Sequence, residues 1–200
     1  QQGLDEGFNN GQQEGYESGY EDGLAESVMD PGWDLYDAGD YAGACSSFLN
    51  EASETGIDDA LAVGLGWCNL RQAQGMLASS WFEMAIAINE DNLDGWVGLA
   101  SASMLIKDFD LADHAIEQAL LGDSDYTCEF EDIDADSLLT TQVLMLLFER
   151  DMSGASIALS ELDPTHELVP LDSTSWIVDA VPYDSFQRAV IAKLNSMGGI

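Results

Sequence analysis

Residues 78–82 read Ala78-Ser79-Ser80-Trp81-Phe82, and 34 positions earlier the chain reads Ala44-Cys45-Ser46-Ser47-Phe48. The same interval repeats through four columns. Gly32, Gly66 and Ala100 form the first, and Ala44, Ala78 and Ala112 follow each of them by twelve residues. Phe48, Phe82 and Ile116 come four residues later, and Glu51, Ala85 and Ala119 three later again. A fixed period of this length marks one supersecondary unit stacked side by side, because each unit leaves a face that only its neighbour covers. Small residues let antiparallel helices approach, and a bulky residue one turn past the alanine fills the space towards the next pair. The spacing predicts an all-α solenoid of helix-turn-helix units.

The pattern resembles the tetratricopeptide repeat (TPR) family over about residues 25–164. The family signature is W-x2-L-G-x2-Y, then A-x3-F, then P. Trp96-Val97-Gly98-Leu99-Ala100 carries its first half with alanine for glycine, and residues 44–48 and 78–82 carry its second half. Gly39-Asp40-Tyr41 and Lys107-Asp108-Phe109 look like its turn between helices. The proline position holds Gly56, Glu90 and Ser124, and the tyrosine position Leu35, Asn69 and Ser103, so any concave lining departs from the usual one. The resemblance implies a TPR-like fold and an adaptor that binds a peptide or partner protein in its concave face. Such proteins commonly hold peptide ends through basic residues; here Arg71 and Lys107 are the only ones in the regular repeats, so a partner should be basic or apolar.

Working outward, residues 29–121 read as three hairpins and 122–135 as an acidic insertion that breaks the period. Residues 136–164 read as a shortened fourth hairpin: an apolar run from Ser137 to Arg150, then Ala155, Leu159 and Leu162 before Asp163-Pro164. Turn formers fill Thr165 to Pro182. Asp184 is then expected to cap a last helix running to Asn195 and closed by Gly198-Gly199, so that residues 165–200 form a loop and a C-terminal capping helix.

Residues 1–28 follow another rule. Gly3, Gly7, Gly11, Gly15, Gly19 and Gly23 recur every fourth residue, followed by Leu4, Phe8, Gln12, Tyr16, Tyr20 and Leu24. Each glycine costs a helix about 1 kcal/mol relative to alanine, so such a helix needs a partner surface. A period of four drifts about 40° per glycine against 3.6 residues per turn, which winds a bare groove around the axis for a crossing helix to follow. The segment resembles Yae1/Lto1-type glycine-x3 repeats, which look like assembly segments. Gly3, Gly7, Phe8, Gly11, Gly15, Tyr16, Gly19, Tyr20 and Gly23 are the expected self-association interface. The alternatives are a flexible glycine-rich leader with no packing role and a cap docked on the chain's own repeats.

Charge narrows the partners. Thirty-eight acidic residues face five basic ones, a formal net charge of -33, which argues against nucleic acid and anionic membranes. Salt or divalent cations would screen the self-repulsion. An extracellular or cell-surface setting fits, as does the cytoplasm of a salt-accumulating organism; a chain starting at Gln1, processed or trimmed, favours export. Cys45, Cys68 and Cys128 show no C-x-x-C pair. Cys45 and Cys68 fall in consecutive helices and read as small buried hydrophobes, a disulfide being the alternative in an oxidising compartment.

Catalytic motifs are absent from the sequence. Asp132, Asp134 and Asp136 alternate like the start of a calcium loop, but Ser137 and Val143 stand where an EF-hand needs glycine and glutamate. Calcium held by these with Glu129 or Glu131 is one expectation, and a solvated loop with Asp136 capping the next helix is the other. His114 and His166 lack ligand or triad spacing and read as surface residues, whereas Trp33, Trp67, Trp81 and Trp96 read as core. The sequence reads as a non-enzymatic structural protein that self-associates through its N-terminal helix into an oligomer or filament. The monomeric adaptor is the alternative.

Overall fold

The computed structural model describes residues 31–128 and 130–198, to which all structural statements refer. The glycine-patterned residues named above, Gly3 to Gly23, lie outside them.

Nine α-helices occur among the described residues. They pair in chain order as α1 (Pro31–Asp37) with α2 (Tyr41–Thr55), α3 (Asp59–Arg71) with α4 (Gly75–Ile88), α5 (Leu93–Ile106) with α6 (Phe109–Gly122), and α7 (Ala135–Glu149) with α8 (Met152–Leu162). A last helix, α9 (Phe186–Met197), stands alone. Asp40, Asp58, Asp108 and Asp151 each start a helix by accepting a backbone N–H three residues on, which satisfies donors the helix itself cannot. The first helices lean on one another, α1 on α3 and α3 on α5, while α2 and α4 make no comparable contact across the stack. The first helices are therefore the inner layer.

The repeat columns explain the stacking. Ala44, Ala78, Ala112, Phe82 and Ile116 are fully buried and Phe48 nearly so. A Cβ added at Gly66 or Gly98 would overlap the Phe82 ring, and one at Gly32 or Gly64 would overlap Phe48. Each phenyl ring is thus clamped between a glycine of its own hairpin and a glycine of the next first helix. In the fourth hairpin Val143, Ala155 and Leu159, all fully buried, each stand 43 residues after Ala100, Ala112 and Ile116. The repeat continues with an excess of nine residues, which lies between α6 and α7.

Two cap assignments change. Asp134, not Asp136, caps α7, because its extended backbone lets its carboxylate accept both the N–H and the hydroxyl of Ser137 at 2.8 and 2.6 Å. Ser185, not Asp184, caps α9, which runs on to Met197; Asp184 instead pairs with Arg188 one turn later at 2.7 Å. Between α8 and α9 the turn-rich stretch folds into a two-stranded hairpin, β1 (Ile177–Val178) with β2 (Val181–Pro182). Phe186, Ala189, Val190 and Leu194 of α9 bury against Val143, Leu147, Ala158 and Leu159, closing the exposed end of the fourth hairpin. Lys193 reaches Asp163 at 2.6 Å, and its ammonium with the Thr165 hydroxyl holds that carboxyl down at about 2.

The cysteines also depart from expectation. Cys45 of α2 and Cys68 of α3 are joined by a disulfide, their Cα atoms 5.6 Å apart, because the two helices cross at that level. Cys128 is the free cysteine and is buried.

Two stability outcomes follow. Gly98→Ala is expected to destabilise the chain by about 1–3 kcal/mol through overpacking, the opposite sign to the roughly 1 kcal/mol gain of that change in an open helix; denaturant melts decide the sign. Reduction of the disulfide, which spans 23 residues, should remove about 3 kcal/mol on the chain-entropy estimate, read as a drop in the melting midpoint with reductant present.

Candidate interaction site: a loop over the inner face and a cleft at the same joint

The nine extra residues do not hang in solvent. Thr127 pairs with Asp134 in an antiparallel bridge; the Cys128 N–H donates to the Ile133 carbonyl at 2.8 Å and the Ala135 N–H to the Tyr126 carbonyl at 2.9 Å. The segment thereby closes on itself and presents its side chains to the inner helices. Tyr126, 7% exposed, donates its hydroxyl to Asp94 at the start of α5. Phe130 stacks face to face on Trp33 of α1, centroids 3.8 Å apart and planes within 9°. Glu131 accepts Arg71 Nη2 of α3 at 2.8 Å on one oxygen and the Tyr36 hydroxyl of α1 on the other. Arg71 Nε also donates to the Tyr36 oxygen at 3.3 Å.

Burial, then the carboxylate partner, pushes both phenols well above the ordinary tyrosine range: Glu131 acts on Tyr36 and Asp94 on Tyr126. Both remain donors at any physiological pH. Burial likewise raises the Cys128 thiol, which lowers its thiolate fraction within the closed loop.

The loop has a second consequence. Helices α6 and α7 meet over a much smaller area than α2 with α3 or α4 with α5, so the joint between hairpins three and four stands open. A cleft of about 610 Å³ fills it, with Leu120, Leu121, Leu146 and Ile157 as its apolar part. Asp113, Glu117, Asp151 and Glu161 stand around it. Leu121 and Ile157 are 79% and 64% exposed, which is unusual for a residue pair facing one recess. Gln142, on the wall, donates to Asp113 at 2.7 Å and keeps the two helices in register.

The residues singled out in the sequence are placed as follows. Arg71, one of two cations expected to hold a peptide end, is engaged by Glu131 and Tyr36. Lys107 ends α5 in a left-handed conformation, beside Asp108, Phe109 and Glu149. Of the expected calcium ligands, Glu131 faces Arg71, Asp134 caps α7, and Glu129 lies outside the described residues; no three His, Cys, Asp or Glu gather to hold a metal among those described. Trp67 is core at 2% exposure, but Trp33, Trp81 and Trp96 sit at its margin, and Trp33 serves as the platform for Phe130. His114 is exposed and edge-on to Trp96.

His166 contacts Ser160 at 2.8 Å through Nε2, a serine–histidine pair the sequence spacing did not suggest. Its Nδ1 accepts the Leu168 N–H at 3.1 Å, so in the neutral ring the proton sits on Nε2. Ser160 in turn donates to the Ser156 carbonyl. The imidazole is thus a donor to the serine, the reverse of what a general base requires.

Tyr126, Phe130, Trp33, Tyr36 and Asp94 were missed as a set. The available signal was composition: two aromatics and a cysteine inside a run of acids are too apolar for a solvated loop.

No protein-family model matches the chain, and no curated protein matches it in sequence. Solved structures match it in fold. A tetratricopeptide repeat protein from Parabacteroides merdae is 16% identical with a TM-score of 0.61, covering 86% of this chain and 66% of that one. MamA from MSR-1 is 17% identical with a TM-score of 0.54, covering 85% and 84%. A thermophilic TPR protein of Thermus thermophilus is 17% identical with a TM-score of 0.53, covering 84% and 80%. The chain has a TPR-like fold.

Cys128 reports on the loop. Phe130→Ala combined with Glu131→Gln should speed its alkylation in the native protein by roughly tenfold, since a charge-assisted contact and an aromatic stack no longer hold the tip. An unchanged rate would show that these contacts do not keep the loop in place.

Proposed function

We propose that this chain is a non-catalytic protein-interaction module whose partner presents a basic, amphipathic helical segment to the cleft between α6 and α8. The observation that carries the reading is the cleft itself: exposed Leu121 and Ile157 line it together with Asp113, Glu117, Asp151 and Glu161. A helix with an apolar stripe and flanking Lys or Arg matches that arrangement in shape and sign. The TPR-like fold supports the class, since stacked hairpins build extended surfaces for other proteins. The inner face, where an adaptor would usually receive a peptide, is covered by the chain's own loop.

A second reading, self-association through residues 1–28, is favoured by the glycine register in the sequence. The Cys45–Cys68 disulfide supports an oxidising compartment, and with it an extracellular or cell-surface setting.

A model helical peptide with a leucine stripe and lysine flanks tests the first reading. It should bind the full chain, and Leu121→Asp with Ile157→Asp should weaken it about tenfold or more. Added acids can only strengthen diffuse attraction to a cation, so a loss isolates the apolar floor; equal affinity overturns the proposal. Sedimentation of the full chain against one lacking residues 1–28 addresses the second, which a monomeric full chain removes.

A further inference from the structure

The turns inside hairpins two, three and four carry large apolar side chains at the surface. Met76 at the start of α4 and Phe148 at the end of α7 are 77% and 75% exposed. They do not stand apart. Met76 shares a recess of about 510 Å³ with Ile106 at the end of α5 and Phe109 at the start of α6. Phe109 in turn meets Phe148 edge to face, ring centroids 5.4 Å apart. Gly75 permits the approach of α4, since a Cβ there would fall 2.7 Å from Ile106 Cγ2. The four residues thus form one apolar row along the edge of the stack that holds these turns, and a continuous exposed row of this kind marks a contact surface.

Charge sets this edge apart from the rest of the surface. Of the five basic residues, Arg71, Arg188 and Lys193 are taken by acids of the chain. Lys107 and Arg150 are exposed and enter no ion pair among the described residues. They end α5 and α7 at positions 43 residues apart, the same place in successive hairpins, and Lys107 lines the recess itself. Acids stand there too, namely Asp108, Asp110 and Glu149. Asp108, however, accepts the Leu111 N–H, and with Asp110 it sits at the start of α6, where the helix dipole offsets negative charge.

We infer that this turn edge is the acceptor for residues 1–28 of a second copy, joined head to tail. The inference rests on the self-association reading and names the surface on which that association takes place. Residues 1–28 hold seven acids and no base, and Leu4, Phe8, Tyr16, Tyr20 and Leu24 each follow a glycine. On a chain of net charge -33 such a segment is repelled over most of the surface. The edge with Lys107 and Arg150 is where cations outside ion pairs face solvent among the described residues. Positions without side chains leave room for the protruding Met76 and Phe148, and the segment's own aromatics supply cover for Ile106 and Phe109. The donor is another copy because the end of α1, not its start, meets α2 at a turn of this edge. Pro31 therefore stands at the opposite edge, in the first hairpin, whereas the acceptor runs from the second to the fourth. Donor and acceptor are different surfaces, so the contact is heterologous.

Sedimentation of full-length variants tests it. Met76→Ser with Phe148→Ser removes the acceptor, and Phe8→Ala with Tyr16→Ala and Tyr20→Ala removes the donor; each set should weaken self-association about tenfold or more. Mixed in equal amounts, the two variants should form a pair of twice the monomer mass that neither forms alone, because one retains the donor and the other the acceptor. Lys107→Gln with Arg150→Gln should weaken the association several-fold and flatten its dependence on salt. Leu121→Asp with Ile157→Asp should leave it unchanged, which separates the edge from the α6–α8 cleft. Association that survives the acceptor variant, or a mixture that stays monomeric, overturns the inference while the wild type's association still upholds the reading beneath it. A wild type that is monomeric at every concentration removes that reading and the inference together. Should the acceptor variant fail to fold, the glutamine pair decides, and an unchanged affinity and salt dependence overturns the inference.

Discussion

The Phe82 ring sits between Gly66 of its own hairpin and Gly98 of the next, with no room for a methyl group on either side. Phe48 repeats the arrangement between Gly32 and Gly64. Everything regular about the molecule depends on this contact. A phenyl ring reaching past its own partner helix fixes the distance to the following first helix, and fixing it twice in succession fixes the curvature. Glycines weaken a helix locally, by about 1 kcal/mol each. Their tolerance here shows that packing between hairpins, more than helix propensity, decides stability in a stack.

The contact also explains where the stack becomes irregular. The third hairpin carries Ile116 in the phenylalanine column, and the fourth opens with Val143 in place of the small residue. With no ring to seat and no glycine to receive it, the close joint is not reproduced. Nine additional residues occupy the gap, and one geometric event produces two surfaces. On the inner side the loop covers α1, α3 and the start of α5; on the far side α6 and α8 diverge around the acidic cleft.

The architecture was largely legible because the repeat is a packing rule written at constant spacing: the columns at Gly32, Ala44 and Phe48 are the residues that touch. The cap errors had a local cause. Asp134 and Asp136 satisfy the same composition rule, and only the extended backbone at Asp134 decides between them. The disulfide is not legible in the sequence, because two cysteines in adjacent helices are compatible with either state until the crossing level of α2 and α3 is known. The loop's role was illegible for a deeper reason. Its partners Trp33, Tyr36, Arg71 and Asp94 lie 32 to 97 residues away in chain and belong to three different helices, so no local pattern registers the encounter. The acids around Phe130 and Glu131 disguised a buried segment as a solvated one.

Charge shows how the irregular parts are held. Among the described residues three ion pairs occur, and none joins one regular hairpin to another. Arg71 holds the loop, Lys193 fastens α9 to the end of α8, and Arg188 steadies the first turn of α9. The remaining cations, Lys107 and Arg150, end α5 and α7 in left-handed conformations, where a positive charge meets the negative end of the helix dipole. The hairpins are therefore joined by apolar contact, which salt strengthens or leaves alone, while the loop and the terminal helix lean on ion pairs that salt screens. Rising ionic strength relieves the repulsion among 38 acids and at the same time loosens the attachment of the loop.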